Sequence, residues 1–167
     1  MKALSVRPPW ALQILVGAKT VECRSWKTPY RGQLLICSST NDHWAGTIAG
    51  HALCVVNLKD IVPFKKKHLE PAGMTGMSVP KDHYAWILDD LDWIEPFPQK
   101  GKLHLFDVDD ALIKSIPEEV SCYDTFAKYY MPLAKKKDKY DPDGSNAKAW
   151  WDEVLAFMKQ TDEAEKR

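Results

Sequence analysis

Lys19, Glu22 and Arg24 stand three and five residues apart, and Ser5 and Arg7 precede them within one short segment. A lysine beside a carboxylate and an arginine has its proton affinity raised by Glu22 and lowered by Arg24, and burial lowers it further. Such a lysine can serve as base, nucleophile or anion hook, and the spacing does not choose among the three. The plainer alternative is an ion-pair ladder on an exposed strand edge, which contributes little and needs no function. Trp10 and Trp26 divide in the same way, between core packing and platforms on which bases stack. Trp10 is assigned to the core. Cys23 lies beside Arg24 and near Lys19, as an activated thiol would, but no histidine partner is evident.

These side chains need a scaffold that folds them back on one another. Ala3–Val6 alternates apolar and polar residues before Pro8 and Pro9, and reads as a short strand. Pro9 opens a helix in which Trp10, Ala11, Ile14 and Leu15 recur at helical spacing until Gly17 stops it. Thr20–Trp26 alternates again, with Thr20, Glu22, Arg24 and Trp26 on one face and Val21, Cys23 and Ser25 on the other. Strand, helix and strand therefore bring Ser5, Arg7, Lys19, Glu22 and Arg24 to one end of a sheet, where they could line one cleft.

Gln33–Ser38 is apolar enough for a strand covered on both faces, and is predicted to be central. Residues 47–64 are predicted as one long bent strand and 65–82 as a polar insert with a helical first turn. Tyr84–Leu88 follows as a strand, then an irregular stretch around Pro96 and Pro98, then a closing strand over 102–108. After Asp109 the period becomes helical. A short helix is predicted over 110–116 and a second over 123–134, broken at Pro132. A third, capped by Ser145, carries Trp150, Trp151, Val154, Leu155 and Met158 as its apolar stripe. The predicted class is α+β: a small mixed β-barrel over residues 1–108, flanked by short helices, with a helical extension over 109–167 packed on it.

Composition narrows the function classes. The chain has 167 residues, with 23 Lys+Arg against 23 Asp+Glu, which excludes a two-enzyme fusion and argues against coating of duplex DNA through bulk positive charge. The charge is polarised: residues 1–40 carry six cations against Glu22 alone, and residues 141–167 carry seven acids against four cations. An anionic partner must be met locally, at the basic end. Four scattered cysteines without a C-x-x-C pair, and no secretory apolar region, point to a reducing cytoplasm. The longest apolar stretches are broken by Gly17, Asn57 and Asp89, short of the about 18–20 residues that cross a bilayer. Histidine spacing builds no metal site, and neither a metal nor a cofactor is predicted. Phosphate-loop, dinucleotide, zinc-protease and serine-hydrolase motifs are absent.

The residues that remain carry a family resemblance. Gly17, Lys19, Glu22 and Arg24 meet a G-x-K-x-x-E-x-R pattern, and Ser5, Arg7, Pro9 and Trp10 meet an S-[IV]-[RK]-x-P-[WY] start at the expected separation. The chain thereby resembles the ASCH domain (activating signal cointegrator homology) of the PUA-like superfamily. The likeness continues through Arg31-Gly32, Leu34–Ile36, Gly50–Val56, Tyr84–Trp86 and Gly101-Lys102. It implies a β-barrel flanked by helices, a cleft lined by the motif's lysine, glutamate and arginine, and RNA or nucleotide binding. One bacterial branch implies an amidohydrolase that deacylates N4-acetylcytidine, and another implies a ribonuclease. The amidohydrolase uses a lysine matching Lys19 and a threonine nucleophile where this chain has Glu22, and a carboxylate replaces a hydroxyl only with a change of mechanism.

The expected function is binding of RNA or a modified nucleoside. Arg7, Lys19 and Arg24 would hold phosphate or base oxygen, and Glu22 would accept from a base or sugar donor. Trp26 or Tyr84 would stack, with Ser5 and Arg31 as further ligand contacts. The alternative is a hydrolase in which Lys19 and Glu22 activate a water. A weaker alternative is a protein-interaction adaptor working through an exposed Trp150/Trp151 patch.

Overall fold

The computed structural model describes residues 1–41 and 43–166; Arg167, counted in the charge of the acidic tail, lies outside them. Its elements are β1 (Lys2–Val6), α1 (Pro8–Leu15), β2 (Val21–Arg24), β3 (Gly32–Ser38), β4 (His51–Pro63), β5 (Tyr84–Pro98) and β6 (Phe106–Asp107). A single turn, α2 (Cys122–Asp124), precedes the long helix α3 (Ser145–Glu165). The strands form one sheet in the order β2-β5-β4-β3-β1-β6. Every pairing is antiparallel except β1 with β3, which the excursion through α1 and β2 makes parallel.

β3 is central, as its composition predicts. Leu34 and Ile36 enter the main core, while Leu35 and Cys37 enter a second cluster with Ala3, Val55, Ile94 and Phe106 on the opposite face. A strand buried on both faces has no use for polar alternation. The ladder does not close: among the described residues no backbone pairing joins β2 to β6, so the class is mixed α+β on an open six-stranded sheet. One side-chain bond does reach across the gap, from Arg24 Nη2 on β2 to Ser5 O on β1 at 2.8 Å.

Several elements depart from expectation: the helix expected over 110–116 is a 3₁₀ turn (Asp110–Leu112), the strand expected over 47–64 begins at His51, and α3 starts after Gly144 without a side-chain cap from Ser145. β5 runs on through Pro98 instead of breaking near Asp89. Gln99 N bonds Gly50 O, so alternation leaves the Pro98 nitrogen on the outward edge, and Pro96 falls where the β4/β5 register shifts opposite Leu53. The closing strand shrinks to Phe106–Asp107 paired with Lys2–Ala3, because His104 turns through φ +58° and cannot extend a ladder. The predicted helix over 123–134 is irregular: α2 widens into a π-helical turn (Thr125–Tyr130) and tightens into a 3₁₀ turn (Met131–Leu133).

That irregular segment fills the core. Phe126 and Tyr130 are fully buried in the same cluster as Leu4, Ile36 and Trp86. α3 adds Ala147, Trp151, Val154 and Met158, four positions on one face. Trp151 is buried and donates from Nε1 to Gly46 O at 2.9 Å, and Trp150 packs edge-on against it, partly buried. The broad exposed tryptophan patch that an adaptor would need does not exist.

Tyr130 supplies the hydroxyl that the β4/β5 irregularity requires. It lies 2.8 Å from both Leu53 O and Ile94 O and accepts from Ile94 N at 3.2 Å. Tyr130→Phe strands those buried groups, and urea unfolding is expected to show a loss of about 1–3 kcal/mol. A loss within experimental error would mean that the sheet satisfies them without help.

Candidate functional site

The end of α1 and the insert after β4 together fix Lys19. Gly17 takes φ +84°, and the next two amides, of Ala18 and Lys19, both bond Gln13 O at 3.0 Å, so the helix ends with the lysine turned inward. Pro71 O in the insert accepts from Thr20 N and Val21 N at 2.9 and 3.1 Å. The Lys19 ammonium then donates to Val21 O and Ala72 O, each at 2.7 Å, and pairs with Glu22 Oε1 at 3.4 Å. These contacts account for its three N–H bonds. The Trp10 ring lies 5.1 Å from Nζ, within cation–π reach. Trp10 is thus partly buried and lines the cleft, rather than lying wholly in the core.

Glu22 receives more than Lys19. Its Oε1 accepts Cys23 N at 3.2 Å, and its Oε2 accepts Arg24 Nε and Nη2 at 3.0 and 2.8 Å. Nη2 also donates to Ser5 O. Nη1 is left as the guanidinium's remaining donor group, with no bond among the described residues. Lys19 is 3% exposed and Glu22 6%, so the surface-ladder alternative is excluded. The common face of Glu22 and Arg24 is as the alternation predicts. Glu22 stands opposite Trp86 on β5, whose indole donates to Trp26 O at 3.2 Å and meets the Trp26 ring edge-on. The His104 ring closes on Trp26 from another side at 4.9 Å.

A cleft of about 1270 Å³ opens over this group. It brings together Ser5, Arg7, Lys19, Glu22, Arg24 and Trp26, as the sequence predicts for these six. It does not include Arg31 or Tyr84. Arg31 is turned to the surface, where Nη1 bonds Thr28 O and Tyr30 O and Nη2 approaches Asp60 at 3.6 Å. Tyr84 stands opposite Arg24 on β5 and carries the Lys27 ammonium over its ring at 5.5 Å. Arg31 follows the motif closely in the sequence and Tyr84 belongs to a later element of the family likeness; the turn and the strand pairing direct both elsewhere.

Sequence reasoning missed the opposite wall. Lys100, Lys102 and His104 line the cleft from the loop between β5 and β6, and Ser39 lines it beyond β3 with a buried Oγ that has no hydrogen-bond partner among the described residues. The only available signal was the Gly101-Lys102 element of the family resemblance, which carries no role by itself. The lining holds five cations, Arg7, Lys19, Arg24, Lys100 and Lys102, against one carboxylate among the described residues, Glu22.

Burial holds the Lys19 pKa below its usual value despite the pull of Glu22 in the other direction. Burial and the Glu22 charge push the Cys23 thiol up, outweighing Lys19 and Arg24, so Cys23 is a poor thiolate and the activated-thiol expectation falls. The chain's four cysteines are all free. Among the described residues no helix is long and apolar enough to cross a membrane.

A mixed α+β domain with a buried lysine–glutamate pair, joined by a half-buried arginine in a basic cleft, defines the class. The ASCH domain family model matches residues 4–155, running through the helical part into α3, and the chain belongs to that family. Among solved structures it is similar to the ASCH protein of Zymomonas mobilis, at 18% identity and TM-score 0.49 over 66% of this chain and 88% of that one. Two point variants of the Zymomonas mobilis protein give 17% identity and TM-score 0.46 over 65% and 89%, and 16% and 0.49 over 68% and 96%. No curated protein matches the chain.

The lowered Lys19 pKa has a stability consequence. Its contribution is present above the unfolded value, near 10.5, and is lost as pH falls through the depressed folded value. In urea unfolding, the stability of the natural chain relative to Lys19→Met is expected to grow as pH rises through the depressed folded value toward the unfolded lysine range. A pH-independent difference would show that Lys19 is not desolvated.

Proposed function

We propose that this ASCH domain binds single-stranded RNA or a modified nucleoside in the cleft between β1 and β2. The cations that line that cleft among the described residues, Lys100 and Lys102 beside Lys19 and Arg24, on a chain with no net charge, carry the assignment. Arg24 Nη1 offers two N–H donors to a base oxygen or phosphate, and Trp26 and Trp10 offer apolar surface to a base. Glu22 accepts from a base or sugar donor, with its carboxylate held in place by Lys19 and Arg24. Lys19 acts mainly through Glu22, since its own donors are engaged. Residues 1–108 carry the site, and 109–167 support the sheet from behind. The curled sheet, bridged from Arg24 to Ser5, corresponds to the barrel of PUA-like domains, and four free thiols suit a reducing cytoplasm.

A second proposal, hydrolysis of an acylated nucleoside or of RNA, draws on the desolvated Lys19. A neutral Lys19 amine could keep its bonds to Val21 O and Ala72 O and present its lone pair to a water beside Glu22. The size and openness of the cleft favour binding over turnover.

Arg24→Ala is expected to weaken binding of a short unstructured RNA by about 10- to 100-fold, as loss of a charged hydrogen bond worth ~1.5–3 kcal/mol implies. The measurement is a fluorescence titration at several salt concentrations, with thermal unfolding as the control for folding. Unchanged affinity would remove RNA binding from this cleft. Mass-spectrometric product formation from acylated nucleosides that disappears in Lys19→Met would replace binding with catalysis.

A further inference from the structure

The loop between β5 and β6 is the part of the cleft that the Lys19–Glu22–Arg24 relay does not explain. It is anchored at three points. Gln99 N bonds Gly50 O at 3.0 Å at its start, and Phe106 pairs with Ala3 at its end. Between them Gly101 lies directly on Ser5: a Cβ on Gly101 would overlap Ser5 Oγ and come within 3.0 Å of Ser5 Cβ. Glycine permits this approach, and it sets Lys100 and Lys102 on either side of the same β1 residue whose carbonyl binds Arg24. Both lysines are exposed, both line the cleft, and neither has an acidic partner among the described residues.

Exposed lysines usually pair with something or lie on a face that faces only water. Here two unpaired ammoniums are held on a tethered loop, across a cleft that already contains an arginine with a remaining donor. The cleft, at about 1270 Å³, exceeds the roughly 300–1,000 Å³ typical of a small-molecule site. Lys100 and Lys102 bring to this lining charge that an uncharged nucleoside does not use.

We infer that Lys100 and Lys102 form a phosphate subsite, so that the ligand is a phosphorylated nucleotide or a strand with a phosphate next to the recognised base, and not a free nucleoside. This rests on the proposed nucleoside binding at Arg24. Gly101 is a positioning residue that fixes the distance between the phosphate on the loop and the base at the relay. Two ammoniums on one phosphate supply charge without base selectivity, so the subsite selects for phosphorylation and not for sequence.

The test compares four probes by calorimetry: cytidine, cytidine 5′-monophosphate, cytidine 3′-monophosphate and the dinucleotide CpC. At least one phosphate-bearing probe is expected to bind roughly tenfold or more tightly than cytidine, with an affinity that falls with salt by about 0.7 in log–log slope per phosphate contact. Lys100→Ala/Lys102→Ala should remove that preference and slope while leaving cytidine affinity unchanged. Lys136→Ala/Lys137→Ala, the same charge change in another loop, should do neither. Gly101→Ala should reduce the preference, and Ser5→Ala in the same chain should restore part of it by removing the overlapping Oγ. The mono- and dinucleotide arms separate a terminal phosphate from one inside a strand. Equal affinity for cytidine and all three phosphate-bearing probes, or a preference that survives loss of both lysines, overturns the phosphate subsite while nucleoside binding stands. Absence of binding by every probe overturns both.

Discussion

Burying a charged lysine and a charged glutamate beside each other is the constraint around which this domain is arranged. Removal of two ions from water costs several kcal/mol each, and their attraction offsets it only when the remaining hydrogen-bonding capacity is also satisfied. Lys19 finds carbonyls at Val21 and Ala72, and Glu22 finds the Cys23 amide and two nitrogens of Arg24. All of these partners but Ala72 lie on β2 itself, and Ala72 comes from the insert after β4. The insert after β4 is present at the site because Ala72 O is needed there, and Arg24 is held because its guanidinium also binds Ser5 O across the open side of the sheet.

The same arrangement explains why the cleft lies where it does. A sheet whose end strands do not pair leaves a gap, and polar side chains can occupy a gap without breaking a ladder. β1 and β2 border it, and the Arg24–Ser5 bond spans it where backbone bonds do not. The helical segment from Cys122 onward works at the opposite side, where Phe126, Tyr130 and Trp151 fill the core and Tyr130 satisfies the irregular stretch of β4 and β5. Rigidity behind the sheet keeps the relay in one geometry, as a preorganised binding site requires.

Much of this was legible in the chain. Alternation in Thr20–Trp26 put Glu22 and Arg24 on one face, Gly17 ended α1, and the apolar run before Ser38 was a doubly covered strand. Periodicity reports which face is buried and little more. It could not distinguish an exposed ladder from a buried relay, because the atoms that satisfy Lys19 include a carbonyl 53 residues away. Arg31 and Tyr84 lie outside the cleft for a related reason: neither a place beside a motif nor membership of a family element fixes the direction of a turn or the face of a paired strand. Pro96 and Pro98 suggested a break, since proline removes a donor, but the cost vanishes at a bulge or an outward edge.

Residue order alone determined the class of the domain, its family and the three members of the relay, because spacing along a strand and stops at glycine and proline are local properties. Tertiary structure decided that the relay is buried, that the sheet stays open beside it, and that Lys100, Lys102 and Ser39 face it from distant segments. Burial sets whether an ion pair is a surface ornament or a constraint on the fold, and burial depends on every element that packs around it.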